Sequence, residues 1–470
     1  MSEINIPTKK TSIFKLFKQA VRGDVKDFTT GSIDKAIFLL AVPMVLEMVL
    51  ESLFAIVDIY FVNQVGNDAV STVILTEASL TILYSIAWGL AMGVTAMVAR
   101  RAGEKNFKEA GNISAQAILL AIFFSIAISI IGFLFPKEIL GFMGASEEVV
   151  NQNFLFTQVM LTGNIVIMLL FVNNGIFRGV GNANLAMKSL LIANAINIIL
   201  DPLLIKGIGP FPKLGLMGAA VATTIGRTCG VVYQLYYLFN GKALIKLAKK
   251  QFVINFNILK NILGTSWGGM CQFIIGSCSW IFLAKLIAES GTAVTAGYGT
   301  AIRICIFTIL PAWGLANAAA TLVGQNLGAG QPERAEKSVW RTAFIALIFF
   351  AIVAIVFYFF GEALMRFFTS DEEVVRAGTL CLHILAIGYV FFAYGMIIVQ
   401  AFNGAGDTKT PTIINIFIYW VLQIPLAYFM AKYLKMGPLG VYIAIGTAET
   451  VLAAISIIIF KKGRWKLVKV

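Results

Sequence analysis

Twelve stretches of predominantly apolar residues, each long enough to cross a bilayer, leave this chain few ways to fold. A helix must supply about 20 apolar residues to span the hydrocarbon core. The stretches run over 36–62, 70–98, 112–135, 151–175, 186–205, 215–238, 259–284, 294–322, 341–361, 377–401, 411–431 and 438–460. Composition agrees: 59% of the residues are hydrophobic and 13% charged, against roughly 45–50% and 25% in soluble domains. That contrast excludes a disordered chain and nearly every soluble class, and it predicts an all-α membrane protein with twelve transmembrane helices. The first stretch is long, with no small-residue cleavage site after it, so it reads as a span and not as a signal peptide. Five Cys and one His are too few and too scattered for a disulfide framework or a metal scaffold.

The basic residues orient the spans. With the N-terminus in the cytosol, the cytosolic segments hold 27 Lys and Arg and the opposite loops hold 8, with Arg227 and Arg303 inside spans. This asymmetry places both termini in the cytosol. It also accounts for the net charge of +13 without invoking nucleic acid. Residues 13–28 mix Ile13, Phe14, Leu16 and Phe17 with Lys15, Lys18 and Arg22. They read as a short helix on the cytosolic leaflet or as a solvated tail.

The chain matches itself at an offset of 225 residues. Ala87-Trp88-Gly89 falls on Ala312-Trp313-Gly314, and Glu147-Glu148-Val149-Val150 on Glu372-Glu373-Val374-Val375. Phe177, Gly179 and Gly181 fall on Phe402, Gly404 and Gly406. Each repeat holds an even number of spans, so both insert with the same orientation. The two six-helix lobes are then related by a pseudo-twofold axis along the membrane normal, with a cleft between them. The expected organisation is a basic N-terminal segment (1–35), an N-lobe (36–240), an inter-lobe linker (241–258, with Lys242, Lys246, Lys249 and Lys250), a C-lobe (259–460) and a basic tail (461–470).

Ionisable residues inside spans are costly and point to function by default. Glu47, Glu51 and Asp58 fall within about 40° of one another on the first span, at about 100° per residue. Pro43 lies one turn earlier and removes a backbone hydrogen bond, which suits a hinge. The fifth span carries Asn194, Asn197 and Asp201 on one face, followed by Pro202. These acids are not duplicated. At the repeat offset Asp58 falls on Leu283, Glu47 on Gln272, Glu51 on Gly276, Asn197 on Leu422 and Asp201 on Leu426. The inference is a single cation site in the N-lobe, built from the first and fifth spans. Two close buried carboxylates share a proton or hold a cation such as Na⁺, because oxygen ligands alone suit a hard ion. The other reading places each acid at a wet span end or in a hydrogen-bonded core. Glu47, the deepest, faces either the ion site or a substrate cleft. Glu77, Arg227, Arg303 and Glu449 also lie in or near spans. Arg227 and Glu449 occupy similar places in the two halves, as gating or packing partners.

Several motifs together carry a family resemblance over nearly all twelve spans. They are Pro43 with Val57-Asp58, Phe177-Arg178-Gly-Val-Gly181, Asn197-Ile-Ile-Leu-Asp201-Pro202, Gly218-Ala-Ala-Val-Ala-Thr223, Val323-Gly-Gln-Asn-Leu-Gly328 and Phe402-Asn-Gly-Ala-Gly406-Asp-Thr408. The chain resembles the multidrug and toxic compound extrusion (MATE) family of secondary transporters, in the branch similar to DNA-damage-inducible F proteins. The resemblance implies export of amphiphilic compounds and organic cations in exchange for H⁺ or Na⁺. It implies a cation site of Asp58, Asn197, Asp201 and Thr223, with Ala219 one turn earlier as a carbonyl donor and Asn174 contributing from the fourth span. The other bacterial branch carries acids in the seventh and tenth spans. Here those positions are Gly276 and Phe392, so no C-lobe cation site is expected. Candidates for the substrate cleft are Glu47, Glu51, Phe54 and Gln272.

The expected protein is therefore a monomeric multidrug antiporter of the cytoplasmic membrane, without a cofactor, whose partners are small cationic or amphiphilic molecules and the bilayer. A lipid-linked oligosaccharide flippase of the same superfamily is the first rival, although such proteins carry more spans or a basic cleft. A major facilitator transporter is the second, but the loop ARRAGEKNFKEAG (99–111) lacks its basic signature. A membrane enzyme finds no nucleophile–base pair, phosphate loop or metal motif here. For orientation, alkaline phosphatase fused after Lys105 should be inactive in cells and active after Lys213; the reverse pattern would invert the topology.

Overall fold

The computed structural model describes residues 12–23, 27–241 and 243–470. Residues 1–11 and 24–26 of the expected basic segment lie outside the described residues, as does Lys242 of the linker. Among the described residues there are twelve helices long and apolar enough to cross a membrane, and no strand. In order, the spans are Ile33–Asn63, Asn67–Gly103, Phe107–Leu134, then a fourth made of Glu147–Thr162 and Asn164–Val180. The fifth to eighth are Ala183–Lys206, Leu216–Asn240, Phe256–Ala288 and Thr292–Gly328. The last four are Pro332–Phe368, Glu372–Ala405, Lys409–Tyr433 and Pro438–Lys461.

Polar side chains start several of these helices by taking up backbone N–H groups that would otherwise lack partners. Asn106 accepts from the Glu109 N–H, Asn255 from Asn257 and Ile258, and Asp371 from Glu373 and Val374. Gly181 (φ +86°) and Gly406 (φ +88°) end the fourth and tenth spans in the left-handed region, the tight turns expected of them. Two spans depart from regular helix. The fourth breaks at Gly163, where Asn164 Nδ2 donates to the Ser125 and Leu161 carbonyls and to Ser129 Oγ. The eleventh widens to π-helix over Ile416–Gln423 and Phe429–Tyr433. Pro425, between them, has no N–H to donate to a preceding turn.

Buried apolar side chains form two large clusters, one within residues 62–270 and one within 283–465. A third joins the first span to the other half: Ile37, Leu40 and Met44 pack with Ala318 and Leu322. The linker packs on the N-lobe, since Ala243, Ile245 and Leu247 enter its cluster. Gln116 pins it there, donating to the Gln251 and Val253 carbonyls at 2.8 Å each.

The duplication appears as reciprocal contacts between the lobes. Trp88 and Trp313, equivalent at the repeat offset, touch each other with ring centroids 6.0 Å apart. Gly89 faces Met270, while its equivalent Gly314 faces Val45, the equivalent of Met270. Gly103 lies against the Gln325 carbonyl and Gly328 against the Arg100 carbonyl, another exchanged pair. Small residues let helix backbones approach this closely. Both Gly103 and Gly328 end 37-residue spans, about 55 Å long at 1.5 Å per residue. The surplus length meets on the face that carries the basic residues.

Long-range hydrogen bonds join further segments on that face. Arg100 donates to the Val468 carbonyl at 2.9 Å and Arg101 to the Val470 carbonyl at 2.7 Å, so the tail crosses from the C-lobe to the second span. Arg334 of the ninth span donates to the Gly31 and Thr30 carbonyls at 2.9 and 3.0 Å. Before the first span, helix α1 (Ile13–Arg22) leaves Ile13 and Phe14 exposed and buries Ala20.

A Cβ on Gly103 would sit 2.0 Å from the Gln325 carbonyl oxygen. Gly103→Ala should therefore lower stability by about 1–3 kcal/mol in detergent unfolding. Gly264→Ala, where no atom lies within 4 Å, should change it by less than about 1 kcal/mol.

Candidate functional site

The three acids of the first span occur at helical spacing, and each meets a different set of partners. Glu47, 1% exposed, faces Arg178 across 3.5 Å. Asn174 Nδ2 donates to Glu47 Oε1 at 3.0 Å. Gln234 then donates to Asn174 Oδ1 at 2.6 Å and to Ser189 Oγ at 2.8 Å. One polar network thus ties the first, fourth, fifth and sixth spans.

This arrangement corrects one sequence assignment and gives partners to two other residues. Arg178, outside the spans by the sequence boundaries, lies inside the fourth span and is buried. Asn174, expected at the cation site, donates to Glu47. Gln272, a cleft candidate, is buried and exchanges hydrogen bonds with Asn403, 3.1 Å in each direction. Gln272 and Asn403 are the repeat equivalents of Glu47 and Arg178. The same contact is therefore made by two amides in one lobe and by an ion pair in the other. That pairing could have been found in the sequence, because both substitutions fall at the 225-residue offset. Arg178 also lines a cavity of about 20 Å³ between the lobes, with Trp88, Thr95, Asn317 and Gln400, room for about one water.

One turn on, Glu51 faces Arg227 of the sixth span, Oε1 to Nη2 3.7 Å. The Arg227 guanidinium lies over the Phe54 ring at 4.9 Å, and Tyr84 and Glu77 of the second span face it too. Arg227 and Phe54 are buried, Glu51 half-buried and Glu77 exposed. The partner of Arg227 is thus Glu51 and not Glu449, which accepts from the Tyr419 hydroxyl at 3.3 Å in the C-lobe. Arg303 is exposed on the eighth span.

Asp58 joins the fifth and sixth spans. Asp201 and Asn197 are fully buried. Asn197 Nδ2 donates to Asp201 Oδ1 at 3.1 Å and to Thr223 Oγ1 at 3.3 Å. Thr223 and Asp201 in turn both interact with Asp58. Glycines allow the approach: a Cβ on Gly226 would lie 2.6 Å from the Ala193 carbonyl and 3.3 Å from Asn197 Cβ. Ala219 is buried one turn before Thr223, and Pro43 is buried within a first span that runs unbroken from Ile33 to Asn63.

The site has more acceptors than donors. Asp58 Oδ1, Asn197 Oδ1 and Asp201 Oδ2 are buried oxygens without a hydrogen-bond partner. Buried acceptors left unpaired are costly, and a hydrogen-bond donor, a proton or a hard cation would satisfy them. Among the described residues, no three His, Cys, Asp or Glu side chains are grouped as a transition-metal site. Two carboxylates, an amide and a hydroxyl suit an alkali ion or a proton instead.

Comparison with known proteins agrees with this architecture. The MatE family model matches residues 43–203 and again 269–429, once per half. A probable multidrug resistance protein NorM from Thermotoga maritima is 27% identical over 92% of this chain and 93% of its own length. A FAD transporter from Shewanella oneidensis is 28% identical over 80% of this chain and 83% of its own. The structure of a MOP superfamily transporter from Pyrococcus furiosus superposes with a TM-score of 0.87 at 26% identity, covering 94% of this chain and 98% of that one. It is described as having a binding pocket of reverse polarity that suggests a different function.

Removing one partner of a buried ion pair leaves the other charge uncompensated. Arg178→Leu should lower stability by about 3–5 kcal/mol. The double variant Glu47→Gln/Arg178→Asn, which copies the C-lobe amides, should recover most of that loss in detergent unfolding. Equal losses in both variants would mean that the pair's charge is needed for stability.

Proposed function

The chain belongs to the MatE family of membrane transporters, and we propose that it is an antiporter that exports amphiphilic organic cations in exchange for H⁺ or Na⁺. The observation that carries this reading is the set of three unpartnered buried oxygens on Asp58, Asn197 and Asp201. A cation arriving there neutralises carboxylates that otherwise lie close together in a poorly solvated interior. That free energy is available to drive a conformational change around Pro43. Coupling is reciprocal: the factor by which the ion weakens substrate binding is the factor by which substrate weakens ion binding.

The basic face is cytosolic in this reading, by the asymmetry of Lys and Arg. The lobes, joined on that face by Gly103, Gly328, Arg100 and Arg334, then represent a state shut to the cytosol. Export requires these contacts to open while the opposite side closes. The charge inside the N-lobe favours cationic cargo: Glu47, Glu51, Asp58, Glu77 and Asp201 outnumber Arg178 and Arg227. A flippase for anionic lipid-linked sugars would need the opposite balance.

The test is ethidium transport in proteoliposomes, driven by a pH gradient alone and by a Na⁺ gradient alone. One gradient should drive transport, and Asp58→Asn and Asp201→Asn proteins that elute as folded monomers should fall to the level of empty vesicles. Full gradient-driven transport in both variants would overturn the ion site.

A further inference from the structure

Arg227 is a resident cation, and the acids around it divide into two sets. On one side stand Glu51, half-buried and 3.7 Å away, and Glu77, exposed on the second span. On the other stands Asp58, whose charge is felt by Asp201. One guanidinium therefore serves three carboxylates, with a fourth behind them. The 3.7 Å separation exceeds the roughly 2.7–2.9 Å of a tight charge-assisted hydrogen bond, so Arg227 is not locked to Glu51. Its Nη1 is buried and has no hydrogen-bond partner, in a residue 5% exposed. The flat Phe54 ring beneath it gives the guanidinium a surface along which to shift without losing its contact with the ring.

We propose that Arg227 couples ion binding to substrate binding by exchanging between Asp58 and the pair Glu51 and Glu77, where an amphiphilic organic cation would otherwise bind. This rests on the antiport reading and adds the residue that carries the coupling. With the ion site empty, Asp58 draws the guanidinium towards the fifth span. Glu51 and Glu77 are then uncompensated, and a cationic substrate binds them with its apolar body against Phe54 and Tyr84. When a cation occupies the Asp58–Asp201 site, Asp58 no longer attracts Arg227. The guanidinium returns to Glu51 and Glu77 and displaces the substrate. The internal cation thus makes two external cations mutually exclusive although they do not share ligands. Nothing equivalent is present in the C-lobe, where Glu51 falls on Gly276 and Asp58 on Leu283.

The experiment is ethidium binding to the purified full chain, measured by fluorescence with and without saturating Na⁺, and at low and high pH without Na⁺. In the unmodified protein one of these ions should weaken binding by about tenfold. Arg227→Gln should still bind ethidium, at least as tightly, with its ion dependence reduced to less than about twofold, whereas Arg227→Lys, which keeps the charge, should retain the dependence. A loss of packing alone would weaken binding without abolishing its response to the ion. If Arg227→Gln does not fold, Glu51→Gln/Glu77→Gln tests the other side: ethidium should bind weakly with or without the ion. An ion response retained in Arg227→Gln, full affinity in Glu51→Gln/Glu77→Gln, or abolished binding in folded Arg227→Gln would overturn the inference alone. No ion response in the unmodified protein would overturn the antiport reading as well.

Discussion

A charge inside a bilayer must find a partner within the protein, because lipid offers none, and the N-lobe is built around that requirement. Three acids on one face of the first span are met by basic and polar neighbours: Glu47 by Arg178 and Asn174, Glu51 by Arg227, and Asp58 by Thr223 and by the field of the same Arg227. These contacts fix how the first span sits against the fourth, fifth and sixth. Satisfaction is incomplete along the whole helix: Glu47 accepts from Asn174 at Oε1 while its Oε2 is buried without a partner, and Asp58, Asn197 and Asp201 likewise retain unpartnered oxygens.

The C-lobe serves as an internal control. It repeats the scaffold, including the Gln272–Asn403 contact, without the charges. An amide pair therefore suffices to hold that helix crossing, and the ion pair in the N-lobe is more than packing requires. The same comparison separates two uses of glycine. Gly181 and Gly406 terminate helices in a conformation other residues rarely adopt. Gly179 and Gly404, two residues earlier, instead let their helices lie against the Thr95 and Ala320 carbonyls.

The lobe interface follows a related logic. Reciprocal contacts at Trp88 and Trp313, and at Gly103 and Gly328, are what a pseudo-twofold axis produces when each lobe presents the same surface to the other. Glycines and backbone carbonyls make the closest approaches, as small residues allow, and Ile37, Leu40 and Met44 add an apolar cluster with Ala318 and Leu322.

The sequence alone determined the twelve helices, their two-lobed arrangement and the absence of C-lobe counterparts for Glu47, Glu51, Asp58 and Asp201, because span length, charge asymmetry and a 225-residue repeat are linear properties of the chain. It also identified Asp58, Asn197 and Asp201, since helical spacing places polar residues on a shared face before any fold is known. Tertiary structure decided which groups those faces meet. It turned Arg178 from a loop charge into the partner of Glu47, bonded Asn174 to that same Glu47, and paired Arg227 with Glu51 instead of Glu449. It also interrupted the fourth and eleventh spans. These outcomes depend on how far each helix is rotated and shifted against its neighbours, and that is set by long-range packing and hydrogen bonding, which span length and local spacing do not encode.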